Sequence, residues 1–213
     1  IAILGTVVLA ICTLQMRPDE KLTSSMAAKS EPVIALRHID TSFGGMMTAE
    51  VLVQWNVNVD STDGQIAEVL SEVDAILQSE PLCANPLSIC DFIDALPGDG
   101  DASTRMSLLD LLPPPLKRAY YTPERGRAVV RFRIQDIGIA AYGPVFERVQ
   151  FKLAELQSQR QNFQIRLSGA AVERWKNLYQ IVVDLAISLG TASLIIFMVL
   201  AVVYRSLRLG LIS

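Results

Sequence analysis

Histidine occurs once and cysteine three times in this 213-residue chain. The single histidine excludes any catalytic dyad or metal site built on paired histidines, and no Cys/His cluster surrounds it. His38 and Asp40 lie two residues apart, so on a helix they face different directions, and His38 reads as an exposed helix residue. No catalytic, cofactor-binding or metal-ligating residue is therefore expected. Three cysteines are too few for a disulfide scaffold: Cys12 falls in an apolar run, while Cys83 and Cys90 are close enough in sequence for a bridge, although two buried free thiols are the expected state. A surplus of basic charge is also missing. With 19 Lys and Arg against 22 Asp and Glu, the net charge of −3 provides no general field for nucleic acid.

Charge is absent altogether from residues 185–203, where only Ser188, Gly190, Thr191 and Ser193 interrupt an aliphatic run flanked by Tyr179 and Tyr204. At about 1.5 Å per residue such a stretch crosses a hydrocarbon core roughly 30 Å thick, and tyrosines suit its interfaces. A transmembrane helix is expected over 178–204. The opening run 1–14 is equally apolar but too short to span, and it passes into Gln15, Met16, Arg17 and Pro18 with neither a basic leader nor a small-residue cleavage site. Residues 1–16 are read as a truncated transmembrane helix rather than a signal peptide. Arg205 and Arg208 follow the second span directly, which by the positive-inside rule puts 205–213 in the cytoplasm. Apolar residues resume at Leu209, so that segment reads as a cytoplasmic turn and the start of the next membrane helix. The polar middle, 17–177, is then an extracytoplasmic domain.

Within it, residues 16–30 lack periodicity and read as a linker. Ser30 and Pro32 open a helix in which Val33, Leu36, Ile39 or Asp40, and Phe43 share a face, until Gly44 and Gly45 end it. Residues 49–59 alternate strictly, with Val51, Val53, Trp55, Val57 and Val59 on one face of a half-buried strand. Ile66, Val69, Leu70, Val73, Ile76 and Leu77 then recur at helical spacing. The strand-then-helix order repeats over 127–135 and 144–157, and a short strand, 164–168, follows. Between the two units the sequence predicts a short helix opened by Asn85 and Pro86, a 97–101 loop, and a break at Pro113, Pro114 and Pro115 that separates two lobes. The expected class is α+β: two strand-helix lobes, ferredoxin-like, with helices covering one face of a small mixed sheet. Residues 172–179 read as a helical lead into the membrane span.

Few residues invite a functional reading. Asp184 is ionisable near an apolar run, where charge is costly, yet it sits about one turn inside the expected boundary and reads as an interfacial aspartate facing water or a neighbouring helix. Gly190, Thr191, Ala192 and Ser193 offer small residues for close helix packing. Arg125, Arg127, Arg131 and Arg133 form either a basic strip for anionic headgroups or, as preferred, a solvated strand face paired with acids. Trp175 reads as an interface anchor.

The stretch Leu167, Ser168, Gly169, followed by an aliphatic helix and then Tyr204-Arg205-Ser206-Leu207-Arg208-Leu209-Gly210-Leu211-Ile212-Ser213, resembles resistance-nodulation-cell division transporters, in particular the branch of mycobacterial large membrane proteins and hopanoid exporters. The Phe43-Gly44-Gly45 turn after Leu36-Arg37-His38-Ile39-Asp40 is similar to the start of that family's porter domain. The resemblance extends over nearly the whole chain and is looser over 80–117. It implies a fragment of a proton-driven exporter of lipid-like or amphiphilic molecules in the bacterial inner membrane, supplying a periplasmic porter domain and its flanking helices, with the wording closer to the second half of the parent. It also implies the lipid bilayer, the parent's remaining membrane helices and hydrophobic cargo as partners, and puts the family's proton-relay carboxylates beyond Ser213. Two other arrangements place a domain between membrane helices: a two-span sensor and the outer domain of an ATPase-driven permease subunit.

Overall fold

The computed structural model describes residues 21–56, 59, 64–96 and 102–203. The expected first span 1–16 with Cys12, the 97–101 loop and the 205–213 turn lie outside the described residues, as does Val57.

The chain enters on a 3-10 turn, Leu22–Ser25, where the Thr23 N–H and hydroxyl donate to the Asp136 carboxylate at 2.9 and 2.8 Å. Part of the expected linker is thus docked on the domain, held by a residue 113 positions away that periodicity does not reveal. Helix α1, Glu31–Ser42, buries Val33 and turns Asp40, not Ile39, inward. The Asp40 carboxylate accepts the Met46 N–H at 3.0 Å and the Asp136 N–H at 3.1 Å, so a polar side chain closes the turn that leads into the sheet. At Gly45, with φ +149°, an added Cβ would fall 2.4 Å from the Ile134 backbone, so the strand entry requires glycine.

Strand β1, Met47–Trp55, leads through α2, Gly64–Gln78, to a short strand β2, Ala84–Leu87. The helix expected from Asn85 and Pro86 is therefore displaced. Asn85 takes φ 46° and its side-chain amide donates to the Phe43 carbonyl at 2.9 Å, holding the segment extended. Helix α3, Ile89–Asp94, starts only where Ser88 caps it: the Ser88 hydroxyl accepts the Cys90 N–H at 3.2 Å, and Asp91 accepts the Ser88 N–H at 2.6 Å. Next come α4, Ala102–Ser107, and a 3-10 turn, Leu108–Leu111. The triple proline is no break either, because Pro114 and Pro115 occupy the first turn of α5, Pro114–Tyr120, where a missing N–H costs nothing. Strand β3, Tyr121–Thr122, and a turn, Pro123–Arg125, lead to β4, Arg127–Ile134. Helix α6, Ile139–Gln159, begins five residues before Pro144. Its first turn is anchored by the buried Tyr142, whose hydroxyl accepts the Gln135 N–H at 2.8 Å. Strand β5, Phe163–Ser168, and helix α7, Ala170–Val203, complete the described chain.

The fold is α+β, and among the described residues the strands form a sheet of order β2-β4-β1-β5 with β3 beside β4. Every pairing is antiparallel rather than mixed, because β4 inserts between β1 and β2 and so separates the two strands that a parallel pairing would join. For the same reason the two strand-helix units do not form separate lobes. In register, Leu167, Val51 and Val130 make one cross-strand row, and Ile165, Val53 and Ala128 the next. These residues point to one face, which α2 and α6 cover with Ile66, Val69, Leu70, Val73, Phe146, Val149 and Leu153, all buried. The opposite face carries Glu50, Leu52 and Gln54 beside Arg127, Arg131 and Arg166.

Two anchors fix this sandwich. Trp55 is 8% exposed and stacks on Tyr121 with ring centroids 5.6 Å apart. The second is Glu80, just past α2, whose side chain is 6% exposed. Arg148 of α6 donates to its Oε2 at 2.8 and 3.2 Å, and Lys152, one turn on, donates to its Oε1 at 2.9 Å. A buried carboxylate thereby clamps the end of α2 to α6, and the hydrogen bond from Arg148 leads the forces that hold its pKa below the ordinary 4.5, against the cost of burial.

The α+β unit covers Glu20–Arg174. Of the second unit, the described part is the portion of α7 from Trp175 to Val203. Within Ala170–Val199 this helix reaches a mean hydropathy of 2.2, and among the described residues it alone is long and apolar enough to cross a membrane by length and composition. Leu185, Ile187, Leu189, Ile195 and Val202 are all exposed.

Two stability changes follow from these anchors. Replacing Trp55 with Ala should cost about 3–5 kcal/mol, read as a lowered denaturation midpoint, whereas an unchanged midpoint would mean that the ring is not packed. Glu80→Gln should destabilise by about 1–3 kcal/mol at pH 7, since Arg148 and Lys152 are exposed enough to regain water. Because the folded-state pKa of Glu80 is depressed, its contribution is complete above the ordinary value and lost as pH falls through the folded one. The difference in melting temperature between wild type and variant should therefore shrink below about pH 4. A difference that stays constant down to pH 2 would show that the charge on Glu80 contributes nothing.

Candidate functional site

His38 is exposed on α1. The two described cysteines are free: burial pushes the Cys83 thiol up to about 12 and the Cys90 thiol up to about 11, so neither is a nucleophile at neutral pH. Among the described residues no group of three His, Cys, Asp or Glu could hold a metal ion.

The four arginines do not act as one set. Arg125 sits exposed in the turn before β4, off the strand face. Arg131 lies 3.5 Å from Glu50 across the strand pair, with its guanidinium 5.2 Å from the Tyr120 ring centre. Arg133 donates to the Gly45 carbonyl at 3.2 Å and lies 5.7 Å from the Phe43 ring centre. Pairing with an acid thus accounts for Arg131, while the Phe43 ring and the Gly45 carbonyl hold Arg133 in place. Arg166 joins the same face from β5, a partnership visible only once the register of β5 against β1 is known.

On α7, Gln180 donates to Asp184 at 2.9 Å and the Thr191 hydroxyl donates to the Ser188 carbonyl at 2.9 Å. The spacing of Gln180, Asp184, Ser188 and Thr191 puts them on one side of the helix, so Asp184 belongs to a polar stripe rather than standing alone. An added Cβ at Gly190 would meet nothing within 4 Å.

A concavity lies elsewhere, where α3 and α4 meet α2. It encloses about 430 Å³. Cys90, Ile93 and the buried Met106 form its apolar floor, and Glu68, Glu72 and Asp94 stand around it. The helical spacing of α2 produces this layout: Ile66, Val69, Leu70 and Val73 face the sheet, which turns Glu68 and Glu72 toward the α3 side. Arg160, at the end of α6, donates to Glu72 at 2.7 Å and to Glu68 at 3.4 Å. The second oxygen of Glu72 is buried and accepts no hydrogen bond among the described residues. Negative potential here also shows in the neighbouring groups. Cys90 is raised first by burial and further by Asp94, Asp91 and Asp74, and Asp74 is raised by burial and then by Asp91. The cleft escapes sequence reading because α4 carries no periodic signal and the α2 acids look like an ordinary solvated face.

No protein-family model matches the chain, and no curated protein matches it.

Proposed function

We propose that this chain supplies the porter domain and flanking membrane helices of a proton-driven exporter of lipid-like or amphiphilic molecules. The observation that carries this reading is the direct passage from β5 through Gly169 into α7, an exposed apolar helix long enough to cross a bilayer. The strand order β2-β4-β1-β5, built from two interleaved strand-helix-strand units, supports a ferredoxin-like domain of the kind the resemblance implies. The periplasmic side of the inner membrane suits that domain, with the bilayer, the parent's other helices and hydrophobic cargo as its partners. Movement of the porter domain would be coupled to the membrane through α7, exchanging access between the bilayer and the outside. No Pro lies within α7 and no Gly before Gly190, so its first turns have no weak point.

Topology is testable by single-cysteine labelling in intact bacterial cells, with the native cysteines replaced. An impermeant maleimide should modify Ser158→Cys, which lies on the exposed side of α6, but not Ser206→Cys. Labelling of position 206 alone would reverse the orientation. For the coupling, inserting Gly-Gly-Ser-Gly after Lys176 in the full-length exporter should preserve insertion and domain folding while abolishing export, seen as cargo accumulating in the inner membrane. Undiminished export from a correctly inserted variant would leave coupling to the membrane helices alone.

A further inference from the structure

The chain enters and leaves the α+β domain at the same end of the sheet. On the entry side, Leu22–Ser25 is docked just past the end of β4, through the two Thr23 hydrogen bonds to Asp136. On the exit side, β5 ends at Ser168 opposite Glu50, and an added Cβ at Gly169 would lie 3.0 Å from the Ala49 Cα. Met47, at the start of the same strand β1, pairs with Ile134 at the close of β4, which brings entry and exit together. In sequence the entry follows the apolar run 1–14 and the exit continues into α7, so both apolar segments connect to this one end.

Apolar side chains also stay in water here. The Asp40 carboxylate, by accepting the Met46 and Asp136 N–H groups, ties the close of α1 to the start of β1 and to the segment after β4, and Thr23 adds the entry turn. Every segment joined by this polar lock carries an exposed apolar residue near it: Met26 is 44% exposed, Ile39 39%, Phe43 55% and Ile137 37%. The turn of α1 that carries Asp40 inward leaves Ile39 outside, and Phe43 follows one turn later on the same side. The Arg133 guanidinium, 5.7 Å from the Phe43 ring centre, puts a cation at the edge of the group. Phe151, by contrast, is exposed on the middle of α6.

We propose that this end of the domain rests on a phospholipid surface, with Met26, Ile39, Phe43 and Ile137 at the boundary of headgroups and acyl chains and Arg133 toward lipid phosphate. Four partly exposed side chains offer roughly a few hundred Å², short of the about 800 Å² per partner of a standard protein interface. A lipid surface needs no such area, because the chain segments on either side hold the domain beside it and supply the local concentration. It also suits both chemistries, taking apolar groups into its acyl edge and a guanidinium at its phosphates. This placement rests on the exporter reading only in taking α7 to lie in a bilayer.

The test uses the whole chain in phosphatidylcholine nanodiscs, with the photoreactive residue p-benzoylphenylalanine replacing Phe43, Phe151 or Met198 one at a time and the adducts identified by mass spectrometry. Met198 is exposed on α7 and reports whether that helix meets lipid. Lipid adducts are expected from positions 43 and 198 and not from 151. Ile39→Asp with Ile137→Asp, both at exposed positions, should lower the lipid yield at 43 about fivefold, with the yield at 198 and the circular dichroism unchanged. Lipid adducts at 198 without any at 43, equal yields at 43 and 151, a crosslink from 43 to protein in place of lipid, or an unchanged yield in the double variant would each overturn the proposal while leaving α7 in the bilayer. Absence of lipid at 198 would instead overturn the membrane reading of α7, and this proposal with it, so the two failures are distinguishable.

Discussion

The domain depends on the register of β1 between β4 and β5. Because side chains alternate along a strand, pairing Val51 with Val130 and Leu167 sends these residues, with Val53, Phe132 and Ile165, toward α2 and α6. A slip of one residue would bring Glu50 and Arg131 inward and leave Val51 and Val53 in water. Two features pin the register. Gly45 permits a backbone approach to Ile134 at one end of β1 that no side chain would allow. At the other, the Trp55 N–H donates to the Gly126 carbonyl at 2.9 Å while its ring stacks on Tyr121. Gly126, with φ 55°, makes this close return of the chain possible.

The same alternation separates charge. It places Arg127, Arg131, Arg133 and Arg166 on the face of the sheet away from α2 and α6, with Glu50 among them. The edge formed by α2 and α3 carries Glu68, Glu72, Asp74, Asp91 and Asp94. A net charge of −3 therefore describes neither surface.

What the sequence made legible followed from periodicity. Alternation over Val51, Val53 and Trp55 and helical recurrence over Ile66, Val69, Leu70 and Val73 identified β1 and α2 and the residues they bury. Ambiguity between Ile39 and Asp40 was intrinsic to pattern reading, since either completes the stripe. The choice fell to Asp40 because two backbone N–H groups at the mouth of the sheet needed an acceptor. Elements set by single local contacts stayed hidden: β2 by the Asn85 side chain, the start of α3 by Ser88, and α5 by prolines that open a helix as readily as they end one. Strand order was hidden for another reason. Which strand inserts between β1 and β2 is decided by burial summed over the whole sheet, and no local window contains that information.

The two sides of α2 differ mechanically. Toward α6, α2 is fastened by Glu80 with Arg148 and Lys152, and by the core row from Ile66 to Leu77. Toward α3 it meets helices of six residues, Ile89–Asp94 and Ala102–Ser107, each too short to hold its shape except by packing. There the Cys90 thiol lies 3.9 Å from the Ala67 carbonyl. Short elements that rest on a core open at lower free energy than the core itself. Opening at α3 and α4 therefore leaves the register of β1, which β4 and β5 set, untouched.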